Sequence, residues 1–404
     1  MFMRTGGAAS ARVVALYASG FLWNVCMGAL QVLVPLYGLS LGYSIVTISS
    51  LVSLPVLIEL IVRFGGSAFS DRFGERRTLR ACFLLMGLAG TTLLAADSYL
   101  LIAVAQSLAF CSRSTFWISI QSLVSQLPGA HHGKKLGRLS AWNYAGGFTG
   151  LTLGGVILGL MGFAQAFTGI IALSAACLLL SFTFPHTEPK PHGRKLVHVA
   201  SGIGRFLVQR HIWLAVSVSF AAALPSVMSQ SMYPLYLAFI GYRDQWIGAL
   251  SALRTVGPIA IGFALAGFIT MSRRRQIYAL GMGGLGLSLI VTGSMQDFAA
   301  IAVAIVVAGC AGSFMDLLYQ VEATEFSHAG DRTMAMAVSG LGWIICPLVM
   351  PLIMGWLAQN YGFQVSFAVA GLLFISFAAL SGSLHRRFEP RATAVPGAVD
   401  EASL

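Results

Sequence analysis

The chain has 404 residues, of which 57% are apolar and only 10% charged, with a mean hydropathy of +0.80. A soluble domain carries about 25% charged residues, and 25 Lys and Arg with 14 Asp and Glu cannot coat a soluble surface of this size. A soluble enzyme, a disordered chain, a collagen-like fibre and a disulfide scaffold are all excluded, which leaves an all-α membrane protein.

A helix needs about 20 mostly apolar residues to cross a bilayer. Twelve such runs are predicted, at roughly 13–37, 45–69, 79–96, 99–126, 139–161, 164–184, 212–239, 245–270, 277–295, 298–325, 333–358 and 363–384. They are too long for barrel strands and lack two-residue alternation. The long polar interruption begins at Pro185 and splits the runs into two groups of six. The predicted organisation is a bundle over 1–185, a cytoplasmic linker over 186–211, a second bundle over 212–385 and a cytoplasmic tail over 386–404.

With the N-terminus inside, 21 of the 25 Lys and Arg residues fall in inside segments. Only Arg243 falls outside, and Arg63, Arg113 and Arg254 fall within spans. This asymmetry predicts both termini in the cytoplasm. It also accounts for the net charge of +11 as topology and contact with anionic lipid rather than nucleic-acid binding. The six cysteines sit in spans without a C-x-x-C pair and read as small packing residues. The histidines His131, His132, His186, His192 and His198 lack convergent carboxylates or thiols, so no metal and no cofactor is expected.

The two halves repeat. At an offset of 199, Gln31, Pro35, Leu36, Tyr37, Gly42 and Tyr43 recur as Gln230, Pro234, Leu235, Tyr236, Gly241 and Tyr242. Gln121 recurs as Gln320, and at an offset of 200 Gly162, Phe163 and Phe167 recur as Gly362, Phe363 and Phe367. An even number of spans per half makes this a parallel repeat, predicting two pseudo-symmetric six-helix bundles with a binding site near mid-membrane between them.

The loop after the second predicted span reads Ser67-Ala68-Phe69-Ser70-Asp71-Arg72-Phe73-Gly74-Glu75-Arg76-Arg77. It resembles the G-x-x-x-D-R-x-G-R-R pattern of the major facilitator superfamily of secondary transporters. Asp71, Arg72, Gly74 and Arg76 match, Glu75 replaces an Arg, and Arg77 follows. The resemblance implies a loop that latches the halves on the cytoplasmic side. In the fifth span Gly137, Gly146, Gly150, Gly154 and Gly155 resemble the family's antiporter motif, with Leu151 in place of a Pro. That resemblance points to the proton-coupled efflux branch; the alternative is close helix packing through small residues at i, i+4 and i+8.

Ionisable residues within spans are costly and are functional candidates. Glu59 stands four residues before Arg63, which suits an intrahelical pair; Glu59 could equally pair with Arg113 or carry a proton. Arg113, Trp117 and Gln121 share one face of the fourth span. In the family the first, fourth, seventh and tenth spans line the cavity. Carried over, this implies Trp23, Asn24, Gln31, Arg113, Trp117, Gln121, Gln230, Tyr233, Tyr236, Asp316, Tyr319 and Gln320 as lining. Asp316 is a second candidate proton carrier. Arg254 either partners Asp316 loosely or caps an outer gate. Glu322, nearer the cytoplasm, is expected to pair with loop bases or a helix end.

These readings predict a proton-coupled exporter of a small organic molecule, monomeric, in a bacterial inner membrane. Uptake by symport or uniport is the alternative. A membrane enzyme or receptor is a third class, for which no G-x-x-x-x-G-K-[ST] or H-E-x-x-H motif is found.

Overall fold

The computed structural model describes residues 7–62, 74–126, 132–184, 210–264, 273–325 and 338–383. Arg63, Asp71, Arg72, most of the predicted linker and the predicted tail lie outside the described residues. Every regular element among the described residues is helical, as expected where lipid offers no hydrogen bond to an open backbone. The N-terminal half contains α1 (Gly7–Ser40), α2 (Ile45–Ser53), α3 (Glu75–Leu94), α4 (Tyr99–Ser125), α5 (His132–Met161) and α6 (Phe163–Ser181). The C-terminal half contains α7 (Arg210–Gln230), α8 (Met232–Phe239), α9 (Asp244–Ala252), α10 (Val256–Ala264), α11 (Arg274–Ser294), α12 (Phe298–Glu325), α13 (Gly342–Tyr361) and α14 (Phe363–Ala379). Ten helices among the described residues are long and apolar enough to cross a membrane.

The two runs outside that count are the eighth, which is broken, and the twelfth, which forms the 17-residue helix Phe363–Ala379; prolines interrupt three of the twelve runs. Pro55, Pro234 and Pro258 cannot donate to the carbonyls four residues earlier. The second run turns at Leu54 before continuing over 55–62. The seventh divides at Ser231 into α7 and α8, and the eighth tightens to a 3-10 turn, Leu253–Thr255, between α9 and α10. Leu54 and Leu253 are partners in the repeat, so the second helix of each half breaks at the same place.

Packing repeats as well. α1 lies against α5 and α7 against α13; α3 lies against α4 and α6, and α11 against α12 and α14. Gly42 and Gly241 hold φ of +77° and +88° in the turns after α1 and α8, a region open to glycine at little cost. Tyr37 and Tyr236 serve matching roles beside these turns. The Tyr37 hydroxyl donates to the Ala96 carbonyl, and that of Tyr236 to the Met295 carbonyl at 3.0 Å. Each ring packs on two phenylalanines, Phe163 and Phe167 in one half and Phe363 and Phe367 in the other.

The α1–α5 contact depends on missing side chains. A Cβ on Gly146 or Gly150 would collide with the carbonyls of Phe21 or Val25, and one on Gly154 would crowd Ala29 at 3.0 Å. The spacing of four on both helices keeps the backbones in register. Gly155 turns to the other half, where Gly248 of α9 lies against it, each Cα 3.0 Å from a Cβ built on its partner. A second contact between the halves joins α2 to α13, where the Val46 amide donates to Gln359 Oε1 at 3.1 Å. Both contacts lie at the end of the bundle predicted to face outward.

Gly150→Leu is expected to force α1 and α5 apart and lower the melting temperature of the purified protein, since overpacking costs about 1–3 kcal/mol. Gly147→Ala, where an added Cβ meets nothing within 4 Å, is expected to leave it unchanged or slightly raised. Thermal denaturation in one detergent checks both.

Candidate functional site

Two arginines lie deep in the bundle, and they differ in how their charge is answered. Glu59, in the 55–62 continuation of α2, is 7% exposed. Arg113 of α4 donates Nε to Glu59 Oε1 at 3.1 Å, and Nη2 to Oε2 completes a bidentate pair. The guanidinium also stacks over Phe110, 4.2 Å from the ring centroid. Of the pairings weighed for Glu59, the one with Arg113 is present; Arg63 lies outside the described residues. A bidentate carboxylate leaves little free positive charge for a ligand.

Around that pair, Trp117 is 38% exposed and Gln121 is exposed. Trp23 is 2% exposed; its indole donates to Ser112 Oγ at 2.9 Å, and its ring stacks on Phe116 at 3.9 Å. Those contacts lock Trp23 into the α1–α4 core. Asn24 donates to the Gly20 carbonyl of its own helix at 2.8 Å. Gln230 is buried and bonds Ser226 of its own helix. Tyr236 is buried and uses its hydroxyl on the Met295 carbonyl.

The second arginine is Arg254, in the 3-10 turn of the C-terminal half. Its Nη2 donates to Gln31 Oε1 of α1 at 2.9 Å, a bond between the two halves. Among the described residues no carboxylate pairs with it. Tyr144 of α5 and Tyr233 of α8 lie within reach of its charge, and Tyr144 also feels Asp316. Arg254 Nε and the Tyr233 hydroxyl are buried without a hydrogen-bond partner. Tyr233 itself is fully buried and lies parallel to Phe367.

Asp316 of α12 is part-buried, accepts from Gln320 Nε2 at 3.2 Å and lies beside the Trp343 indole of α13. Tyr319 and Gln320 are part-buried on the same helix. Thus Gln31, Arg254, Tyr233, Asp316 and Gln320 draw together with Tyr144 and Trp343, which sequence reasoning missed. Glu322 has Arg274, at the N-terminal end of α11, within reach of its charge. It is fully buried and neither carboxylate oxygen has a hydrogen-bond partner.

The described part of the loop motif is used within its own half. Arg76 donates from Nε to the Ser181 carbonyl at 3.3 Å and from Nη2 to that of Phe182, capping the C-terminal end of α6. Glu75 is buried and accepts from Ser122 at 2.8 Å and Gln126 at 3.0 Å, tying α3 to α4. The substitution of Glu for the family's Arg therefore has a structural use. Gly74 caps α3 with φ +82°, and Arg77 is exposed.

The family model described as Major Facilitator Superfamily matches residues 14–271 and 245–401. An uncharacterised MFS-type transporter of Pseudomonas aeruginosa (strain UCBPP-PA14) is 24% identical over 382 residues, covering 86% of each chain. Among solved structures, the nucleoside transporter NupG superposes with a TM-score of 0.75 at 14% identity, covering 94% of this chain and 99% of its own. A bacterial homologue of the human lysosomal transporter Spinster, in an inward-facing and unoccupied conformation, gives 0.74 at 13% identity, covering 96% and 100%. At these identities the structural likeness concerns the fold alone. The chain is a membrane-embedded member of the Major Facilitator Superfamily.

Proposed function

We propose that the protein is a secondary active transporter that moves a small organic molecule by alternating access, exports it in exchange for protons, and needs no cofactor. The observation that carries this reading is the Gln31–Arg254 hydrogen bond. It joins the first helix of one half to the broken helix of the other, with Asp316 within the same electrostatic neighbourhood. A site shared by two halves is what rocking motion can expose to either side in turn.

The proposed architecture is twelve spans in two parallel six-helix halves, 1–185 and 212–385. Ten long helices supply most of it. The broken segment from Asp244 to Ala264 and the 17-residue helix Phe363–Ala379 supply the other two. The distribution of basic residues supports cytoplasmic termini and contact with anionic lipid, and the Pseudomonas relative supports a bacterial inner membrane. A monomer suffices, because both halves of the site lie in one chain.

Asp316 is the proposed proton carrier. Its partners among the described residues are neutral, whereas Glu59 is held by Arg113. Asp71, Arg72, Arg76 and Arg77 keep their proposed role at the cytoplasmic gate, where Arg76 braces α6 from within its own half. Uptake by symport or uniport is the second reading. Gly146, Gly150 and Gly154 are accounted for by packing on α1, so the glycine run alone does not fix direction.

The test is a screen of radiolabelled metabolites and drugs in proteoliposomes, with a proton gradient of either sign. Chemically unchanged solute accumulating against its own gradient is expected; retention of no solute under either gradient would contradict the reading. With a substrate in hand, Asp316→Asn is expected to cut gradient-driven flux to below about a tenth of wild type while leaving exchange intact. Glu59→Gln is expected to destabilise the protein by on the order of 3 kcal/mol through an orphaned Arg113. Adding Arg113→Gln should recover much of that loss in a melting curve.

A further inference from the structure

We propose that Arg254, Gln31 and Tyr233 form an anion subsite that receives an oxyanion, in the simplest case the carboxylate of a small organic acid. The inference rests on the transporter reading and adds the chemical class of its substrate.

Three observations carry it. First, Arg254 is a cation without a counter-ion. The bilayer centre tolerates such a charge only when something answers it, and among the described residues no carboxylate pairs with it. Arg113 shows the contrast, since Glu59 already holds it by two hydrogen bonds. Of the two deep arginines, Arg254 is the one with charge to offer.

Second, two donors within electrostatic reach of each other are unsatisfied. Arg254 Nε and the Tyr233 hydroxyl are buried with no acceptor, and buried donors are normally satisfied. An acceptor bearing several lone pairs would answer both. A carboxylate does so, and the guanidinium fork matches its geometry.

Third, Gln31 is turned to suit. Its Oε1 is engaged by Arg254 Nη2 at 2.9 Å. The amide nitrogen of the same group, a donor of two hydrogens, is thereby directed away from the cation. Gln31 and Arg254 both remain part-buried rather than sealed, so an arriving anion can meet this face before the buried donors close on it. Tyr144, between Arg254 and Asp316 in its electrostatic reach, and Tyr233 are neutral hydroxyls. The nearby acid is Asp316, which already receives Gln320 at 3.2 Å. Because Gln31 belongs to α1 and Arg254 to the other half, a bound anion would hold the halves together.

The test reads the local charge with two thiol reagents of similar size and opposite charge. Gln31→Cys is made in a Cys111→Ser, Cys310→Ser background, since Cys111 and Cys310 are the part-exposed cysteines. Anionic sulfonatoethyl and cationic trimethylammonioethyl methanethiosulfonate are applied to everted and right-side-out vesicles. Each rate is divided by the rate of the same reagent with a free thiol. The expected anion-to-cation ratio at the introduced thiol exceeds that of the free thiol by at least about tenfold, as an unscreened positive charge within a few ångströms dictates. Arg254→Gln should abolish the excess, and Arg254→Lys should keep it.

A ratio at or below the free-thiol value, an excess that survives Arg254→Gln, or failure of both reagents to reach the introduced thiol from either side would each overturn the subsite. If Arg254→Gln does not fold, a ratio at or below the free-thiol value in the Arg254 background still overturns the subsite, and Arg254→Ala or Arg254→Met takes the place of Arg254→Gln. The outcome is independent of flux. A blank transport screen with the anion preference intact would remove the transporter reading alone. Flux without the preference would remove the subsite alone.

Discussion

A charge placed where water is scarce must be answered by something nearby, and that constraint organises this bundle. Arg113 is answered within its own half by Glu59, and the pair ties α4 to the continuation of α2. Arg254 is met by a neutral amide from the opposite half. The first arrangement is finished and structural. The second is unfinished, with two buried donors still lacking acceptors. An arginine met only by a neutral amide at the contact between the halves is the basis of the proposed anion subsite, at a position that would couple occupancy to the relation of the halves.

The same logic extends to the backbone. Lipid forces the chain into helices, yet three helices break where prolines withhold a donor. Two of those breaks, at Leu54 and at Leu253–Thr255, are partners in the repeat. The second places Arg254 in a 3-10 turn pressed against α12, where a Cβ on Gly309 would strike the Arg254 carbonyl. The break thus helps set the arginine's position. Glycine contacts do the complementary work. Gly146, Gly150 and Gly154 bring α5 onto α1, and Gly155 brings it onto Gly248 of the other half. One face of α5 builds its own half and an adjacent position touches the second.

Much of the fold was legible in the sequence, since long apolar runs and the 199-residue repeat are one-dimensional signals. Tyr37 and Tyr236 illustrate how far this goes: matched in sequence, they brace matching turns. The site was only partly legible. Trp23 and Tyr236 sat at lining positions by family analogy, but one is bonded to Ser112 and the other to a loop carbonyl. An aromatic on a helix surrounded by other helices has no outer face for periodicity to find. Tyr144 and Trp343 went unnoticed because their neighbours come from distant segments. Pairing at Arg254 spans 223 positions, beyond any local pattern. The substitution at Glu75 read as a departure, and its partners Ser122 and Gln126 could be found only in three dimensions.

Alternating access, as proposed, requires the two halves that share the site to move relative to each other. The most direct measurement is the distance between spin labels at Val46→Cys and Gln359→Cys, read by pulsed electron resonance in lipid nanodiscs across a range of pH. These residues meet where α2 and α13 join the halves. The account predicts a short-distance population, as in this structure, and a second, longer one whose share changes with pH. A single short distance at every pH would contradict it.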